Sequence, residues 1–483
     1  MTENFCFING AFSSPSGPAQ AYFSPITGGA LGDRPLASPG DVDRAVQAAR
    51  AAFDTTGWST APPHDRAKLL HRVAQLITEQ AAAIAEIDAV ETGKPIRGGL
   101  REALGAARVF DYYAGLSVDL CGASIPVGAH GLDLTIREPI GAVGQIVPWN
   151  FPFLACAWKL APALAAGCSC VLSTSPLTPS SALFLAGILR EAGLPPGVVN
   201  ILPGSIDASK RLVAHPGIDL ISFTGSTETG RAVMQSAAAT LKRVALELGG
   251  KSPCLVLEDA DIAAAAKATV KAAFGNSGQS CSARSRIYVA DRVYAEFLQA
   301  FVAETEALVV GDPREEKTDI GPLITKAHRD RVAEHVRRAE LAGARIVTGG
   351  TEAIPAAGGN YFRPTILADT HQDMAIMREE VFGPVASVTA IDPQDAVALA
   401  NDSAFGLAAS VWTRDVSTAF TLARRIKAGN ITINSHPSAS ELGLYFPFGG
   451  FKASGIGREL GRAGLEAYTE LKNIYCDISP KVG

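Results

Sequence analysis

The chain has 483 residues, 47% of them hydrophobic and 19% charged, enough to build large cores and too many for one ordinary domain. A net charge of -5, with acids and bases interspersed, offers no broad basic face for nucleic acid or anionic lipid and no long acidic tail. The start, MTENFCFING, lacks a basic segment followed by an apolar run, the most apolar long stretch (152–172) is broken by Lys159 and Pro162, and the eight cysteines are scattered, so a cytoplasmic protein without membrane or nucleic-acid partners is expected.

Residues 62–90 carry Leu69, Val73, Leu76 and Ile77 at helical spacing ahead of the stop signal in Glu91-Thr-Gly-Lys-Pro95, which predicts an amphipathic helix. Residues 121–140 alternate about the turn-like stretch Gly128 to Gly131. Together with 465–479 they are too small to fold alone, and are expected to pair with each other or with another subunit. From residue 140 short apolar runs alternate with helical stretches: IGAVGQIV, then CSCVL at 168–172, VVNIL at 198–202, DLISF at 219–223 and VALEL at 244–248. That rhythm predicts parallel βαβ units. After residue 260 it resumes, with a helix over 261–274, a strand at 286–290 and a helix over 293–308, continuing to about residue 430, so a second α/β domain and a cleft between the two are expected.

Asn276-Ser-Gly-Gln-Ser-Cys281 sets one cysteine in a polar, glycine-containing segment just before a strand, whereas most of the others lie in apolar runs. A thiolate there is a strong nucleophile toward carbonyl carbon; the bland alternative is a loop cysteine with no role. Glu247 is an acid set in an apolar strand and followed by two glycines, so burial would raise its pKa toward that of a useful base, unless it is merely a paired strand-end carboxylate. Asn150, in Val147-Pro-Trp-Asn-Phe-Pro152, is a neutral amide braced by prolines and aromatics, suited either to an oxyanion or to a turn. Phe223-Thr-Gly-Ser226 ends a strand and opens a helix, where backbone N–H groups can cradle a phosphate.

Other near-motifs carry less. Gly-Lys-Ser at 250–252 lacks the first glycine of a phosphate loop, Gly455-Ile-Gly-Arg-Glu-Leu-Gly461 follows no strand and reads as a helix-entry turn, and the eight histidines have no metal-ligand spacing, so no metal is expected.

Taken together, Pro148-Trp-Asn-Phe-Pro152, Phe223-Thr-Gly-Ser-Thr227, Leu246-Glu-Leu-Gly-Gly-Lys251, Gly278-Gln-Ser-Cys281, Glu379-Glu-Val-Phe-Gly-Pro384 and Pro447-Phe-Gly-Gly450 resemble the aldehyde dehydrogenase superfamily over nearly the whole chain. The resemblance implies an α/β fold with two Rossmann-like domains and a small β oligomerisation hairpin. It assigns 1–120 and 141–247 to dinucleotide binding, 248–448 to catalysis, and 121–140 with 464–483 to assembly into a homodimer or homotetramer. It further implies that Cys281 attacks an aldehyde, that the Asn150 amide and the Cys281 backbone N–H hold the oxyanion, that Glu247 activates water to cleave the thioester, and that Lys159 assists proton movement. The cofactor would be NAD or NADP, with Glu380 and Phe382 at the nicotinamide ribose and ring. Trp149, Gly225 and Ser226 match residues near the pyrophosphate and ribose, and Ile146, Pro148, Ser173, Phe223, Gly230 and Leu248 complete the implied cofactor site.

The family commonly carries Lys-Pro-Ser-Glu after the strand that ends at Leu172, and this chain reads Ser173-Thr-Ser-Pro176, so both ribose-binding charges are missing and the choice between NAD and NADP stays open. Lys210 or Arg211 can be envisaged reaching a 2′-phosphate, solvated helix charges being the alternative. Arg284 would either lower the Cys281 pKa or form a salt bridge. Phe151, Phe153, Trp158, Tyr445 and Phe451 suggest an apolar entrance for medium-chain or aromatic aldehydes, with core packing the alternative for most of them. Two other readings remain: a coenzyme A-acylating relative, against which Glu247 argues, and a non-catalytic binding protein with this fold.

Overall fold

The computed structural model describes residues 6–351, 358–435 and 443–479; the parts of the expected domains at 1–5, 352–357, 436–442 and 480–483 lie outside the described residues. The alternating apolar runs form an eight-stranded sheet in the order Ala11–Ser13, Cys6–Ile8, Val199–Pro203, Ser169–Thr174, Ala142–Ile146, Leu220–Thr224, Arg243–Glu247, Gly455–Ile456. The five strands from Val199–Pro203 to Arg243–Glu247 run parallel, and the strands next to them on either side are antiparallel. Side-chain alternation divides its two faces. Cys170 and Leu172 pack with Leu160 and Ile188 of the helices Pro152–Ala166 and Ser180–Glu191, while Val171 and Ile221 pack with Val42, Val46 and Leu212 of the helices Pro39–Thr55 and Ile206–Ala214. Both faces are covered, which is why these strands read as continuous apolar runs.

The chain leaves this sheet at Glu247 and enters a second one at Pro253–Val256. Its order is Arg345–Thr348, Thr365–Ala368, Val385–Ile391, Arg286–Ala290, Pro253–Val256, Ala408–Trp412, Asn430–Ile433, parallel except for the first pair. A third, three-stranded sheet pairs Gly131–Pro139 with Ser124–Ile125 on one side and with Thr469–Asp477 on the other, antiparallel throughout.

Two local expectations change. The predicted helix over 62–90 is two helices, Pro63–Glu79 and Ala81–Thr92, because Gln80 (φ −108, ψ 13) leaves the helical region; both segments pack against Ile96–Ser117. Gly455-Ile456, expected to be part of a helix-entry turn, is an edge strand that pairs antiparallel with Leu246 and Glu247, and the helix begins only at Gly461. The pairing demands glycine, since a Cβ on Gly455 (φ +143) would sit 2.0 Å from the Leu246 carbonyl oxygen.

Trp58 ties a helix connection to the first sheet: its buried indole N–H donates to the Cys168 carbonyl at 2.9 Å. Trp58→Phe keeps most of the ring and leaves that carbonyl unpaired, so thermal denaturation should show a loss of about 1–3 kcal/mol; an unchanged Tm would mean that the bond contributes nothing to stability.

Candidate active site

In the first sheet the strand Ala142–Ile146 has Ser169–Thr174 on one side and Leu220–Thr224 on the other, so strand order reverses direction here. A crevice opens at such a reversal, beyond the carboxyl ends of the strands. Ile146-Val-Pro148-Trp149-Asn150, Ser173-Thr174, Thr224-Gly225-Ser226 and Glu247-Leu248 all lie there. Side chains have been stripped from the backbone around it. A Cβ on Gly225 would lie 2.5 Å from the Phe223 ring, on Gly230 2.4 Å from Leu248 Cδ2, and on Gly204 2.4 Å from both Ser173 Oγ and the Thr174 carbonyl. Ser226 caps the helix Thr227–Ala238 by accepting the Thr229 N–H at 3.2 Å, and the positive end of that helix is at the crevice. Bare backbone, a switch point and a helix N-terminus fit a dinucleotide.

Near the far end of this crevice Ser173 is buried, with Oγ 3.4 Å from Ser209 Oγ. Arg211 is held by Asp43 through Nε–Oδ1 at 2.6 Å, and Lys210 is exposed. On the catalytic side the Trp149 ring meets Phe382 edge-on at 5.4 Å and His328 at 5.8 Å. Phe382 itself has φ +57, and its carbonyl lies 2.7 Å from His328 Nε2. Burial holds that imidazole down at about 4, so it is neutral at pH 7, and a carbonyl partner requires the proton on Nε2. Glu380 accepts the Gly250 N–H at 3.0 Å, and burial pushes its carboxyl up to about 7.

The segment that leads to Cys281 begins with an unusual turn. Asn276, Ser277 and Gly278 have φ of 54, 57 and 69, left-handed conformations that cost the two non-glycine residues about 1 kcal/mol or more each. Packing and hydrogen bonds hold them. Ser277 Oγ donates to the Gly321 carbonyl at 2.9 Å, the Ile324 N–H donates to Gln279 Oε1 at 3.0 Å, and a Cβ on Gly278 would lie 2.1 Å from the Gly383 carbonyl. Asn276 Nδ2 donates to the Asn150 carbonyl at 2.9 Å, and Asn150 Nδ2 donates to the Gln279 carbonyl at 3.0 Å. The Asn150 amide therefore spends one N–H on the loop that carries Cys281 and keeps a second for a ligand. Cys281 is half-buried. Burial and the opposing charges of Glu380 and Glu247 push its thiol up to about 12, against the backbone N–H groups of Cys281 and Ser282, which favour the thiolate.

Glu247 is buried at the end of its strand, and its Oε2 has no hydrogen-bond partner among the described residues. Burial and the Glu459 charge hold its carboxyl well above the usual range, opposed by Lys159 and Arg458. Lys159, fully buried, donates to Glu459 Oε1 at 2.5 Å and to Ser222 Oγ at 2.8 Å. Glu247 at the end of its strand, Lys159 on the helix Pro152–Ala166 and Glu459 thus form one electrostatic unit.

The fold brings Cys281, Asn150, Glu247 and Glu380 to one place, with Lys159 acting on Glu247 through its charge. Phe223, Gly230 and Leu248 shape the backbone near the crevice by packing. Phe153 is core rather than entrance, whereas Tyr445 and Phe451 are exposed. Arg284 makes no carboxylate pair among the described residues; it is buried on Ser410 Oγ and the Ser282 carbonyl, at 3.0 and 2.6 Å. Sequence reasoning missed Glu459, Asn276, Gln279 and His328. Only Asn276 and Gln279 had a local signal, as amides flanking the cysteine's glycine turn.

Residues 12–474 match the model of the aldehyde dehydrogenase family. The chain is 39% identical over 481 residues to retinal dehydrogenase 2 of Homo sapiens, covering 98% of this chain and 92% of that one. It is 39% identical over 449 residues to betaine aldehyde dehydrogenase of Bacillus subtilis, covering 91% and 90%. A solved NAD+ complex of an aldehyde dehydrogenase from Bacillus cereus superposes with a TM-score of 0.96 at 39% identity, covering 99% and 97%. This chain belongs to the aldehyde dehydrogenase family.

Proposed function

We infer that the chain oxidises an aldehyde to a carboxylic acid with NAD or NADP, with Cys281 as the nucleophile. The observation that carries the assignment of roles is the buried Glu247 carboxyl, whose Oε2 has no partner among the described residues, close enough to act electrostatically on a thiol that is tied through its own loop to the Asn150 amide. The Cys281 thiol gives its proton to solvent water and the sulfur adds to the aldehyde carbon. The carbonyl oxygen becomes an oxyanion, held by the free Asn150 N–H and the Cys281 backbone N–H. A bound nicotinamide dinucleotide supplies the acceptor for the hydride that leaves that carbon. Ionised Glu247 then takes a proton from water, whose oxygen attacks the thioester and releases the acid and the thiolate. Glu380 and Phe382 would hold the nicotinamide ribose and ring, Trp149, Gly225 and Ser226 the pyrophosphate end, and Ser173 the adenosine ribose. A base placed to activate water supports hydrolysis over transfer to coenzyme A.

Aromatic pairs support medium-chain or aromatic substrates: Trp158 on Phe448 at 5.4 Å and Tyr112 on Tyr445 at 5.3 Å. Assembly with a second copy is supported by the three-stranded sheet, where Leu132, Leu471, Ile474 and Tyr475 are exposed and Thr469–Asp477 is an open edge. Among the described residues no helix is long and apolar enough to cross a membrane. A cytoplasmic location belongs to the same reading, and all eight cysteines being free thiols supports it.

Three measurements test this. Near-ultraviolet absorbance should report reduced nicotinamide from aliphatic or aromatic aldehydes, be abolished in Cys281→Ala, and fall about 100-fold or more in kcat for Asn150→Ala; turnover surviving in Cys281→Ala would sink the mechanism. The Glu459 charge opposes ionisation of Glu247, so Glu459→Gln lowers the Glu247 pKa and should move the ascending limb of kcat against pH to lower pH. A limb that stays put would remove Glu247 as the base that limits turnover. Finally, with Ser173 and Pro176 uncharged, both cofactors should work, and Pro176→Glu should raise KM for NADP about tenfold while changing KM for NAD little. An unchanged ratio would place the ribose elsewhere.

A further inference from the structure

The turn Glu91-Thr-Gly-Lys-Pro95, between the helices Ala81–Thr92 and Ile96–Ser117, lies outside the machinery described above, yet it touches both halves of it. Thr92 Oγ1 organises the turn by donating to the Asp88 carbonyl at 2.6 Å and accepting the Lys94 N–H at 3.0 Å. On one side Gly93 (φ +77) presses against the second domain: its own Cβ would meet Pro322 Cγ at 2.6 Å, and a Cβ on Gly321 would lie 1.9 Å from the Gly93 carbonyl. Gly321 is the residue whose carbonyl accepts from Ser277 of the nucleophile turn, at 2.9 Å. On the other side the Lys94 ammonium is buried, ion-paired with Glu102, and stands 4.4 Å from the centroid of the Phe151 ring. Phe151 follows Asn150 and is the N-cap residue of the helix Pro152–Ala166.

We propose that Lys94 is a positioning residue for the reaction: its ammonium, clamped by Glu102, holds the Phe151 ring and through it the neighbouring Asn150 amide, while Gly93 in the same turn braces the loop of Cys281. A desolvated cation over a ring face is a directional attraction, and here it acts on the residue next to the proposed oxyanion donor. The inference rests on the role proposed for Asn150. The alternative is that Lys94 and Glu102 serve folding alone, in which case their loss lowers stability without selecting a catalytic step.

The test uses the full chain with Lys94→Met and Glu102→Gln combined, which removes both charges of the pair together. It also uses Phe151→Leu, which leaves the ion pair intact and removes only the ring. Each should lower kcat about tenfold with KM for the aldehyde changed less than about threefold, and each should cost less than about twofold when placed on Asn150→Ala, because the amide it positions is gone. Equal losses in both backgrounds, or no loss in either variant, would overturn the proposal. Should the doubly neutralised variant fail to fold, Phe151→Leu decides alone. Backbone hydrogen exchange over residues 149–154 supplies a readout independent of turnover: about tenfold faster exchange is expected in both variants, and unchanged exchange would refute the positioning role even if aldehyde oxidation itself were not observed. Loss of activity in wild type, by contrast, would count against the proposed function.

Discussion

The passage from the first sheet to the second runs through two glycines at which other parts of the chain approach closely. A Cβ on Gly249 would stand 2.4 Å from Glu380 Oε2, and one on Gly250 would stand 2.2 Å from the Cys281 carbonyl oxygen. That close approach brings the end of the strand carrying Glu247, the loop carrying Cys281 and the segment carrying Glu380 together. The Gly250 N–H donated to Glu380 joins two of these pieces with a hydrogen bond as well as by packing. A side chain at Gly250 would have to push the Cys281 backbone away, whereas one at Gly249 would displace the Glu380 carboxylate.

Around this contact the structure accumulates energetically unfavourable features. Two non-glycine residues in left-handed backbone precede Cys281, a carboxyl oxygen of Glu247 is buried without a partner among the described residues, and Phe382 also has positive φ. Such features cluster where a constellation must be held ready for a ligand, and the surrounding packing supplies the compensating stability. Lys159 does part of this work for Glu247. Its charge opposes the repulsion from Glu459, so Glu247 is raised above an ordinary carboxylate by burial while the lysine limits the rise. The same logic applies to Cys281: burial and the neighbouring Glu380 and Glu247 keep its thiol protonated, while the backbone N–H groups of Cys281 and Ser282 and the charge of Arg284 oppose them.

Much of the fold was legible because apolar patterning is local. The runs at 140–147, 168–172, 198–202, 219–223 and 244–248 all became strands of one sheet, whose central strands are covered on both faces. The break at Gln80 was not legible, since the helical stripe of 62–90 continues across it and nothing in the residue types marks a stop. The strand at Gly455-Ile456 was hidden for the opposite reason: it is too short for alternation to register, and it exists only because Leu246 and Glu247 present an open sheet edge.

The sequence by itself determined the chemistry that was available: a cysteine in a polar glycine turn, an acid at the end of an apolar strand, an amide between prolines, and a glycine-serine helix start. These are properties of residue type and near neighbours, and they also carried the family resemblance. Tertiary structure alone decided which distant groups act on one another. Glu459 lies 300 positions from Lys159 yet pairs with it, Ile324 donates to Gln279, and Lys94 stands over Phe151. Burial and charge at a site are sums over everything the fold packs around it, so the shifts of Glu247 and Cys281 depend on positions that no local pattern connects.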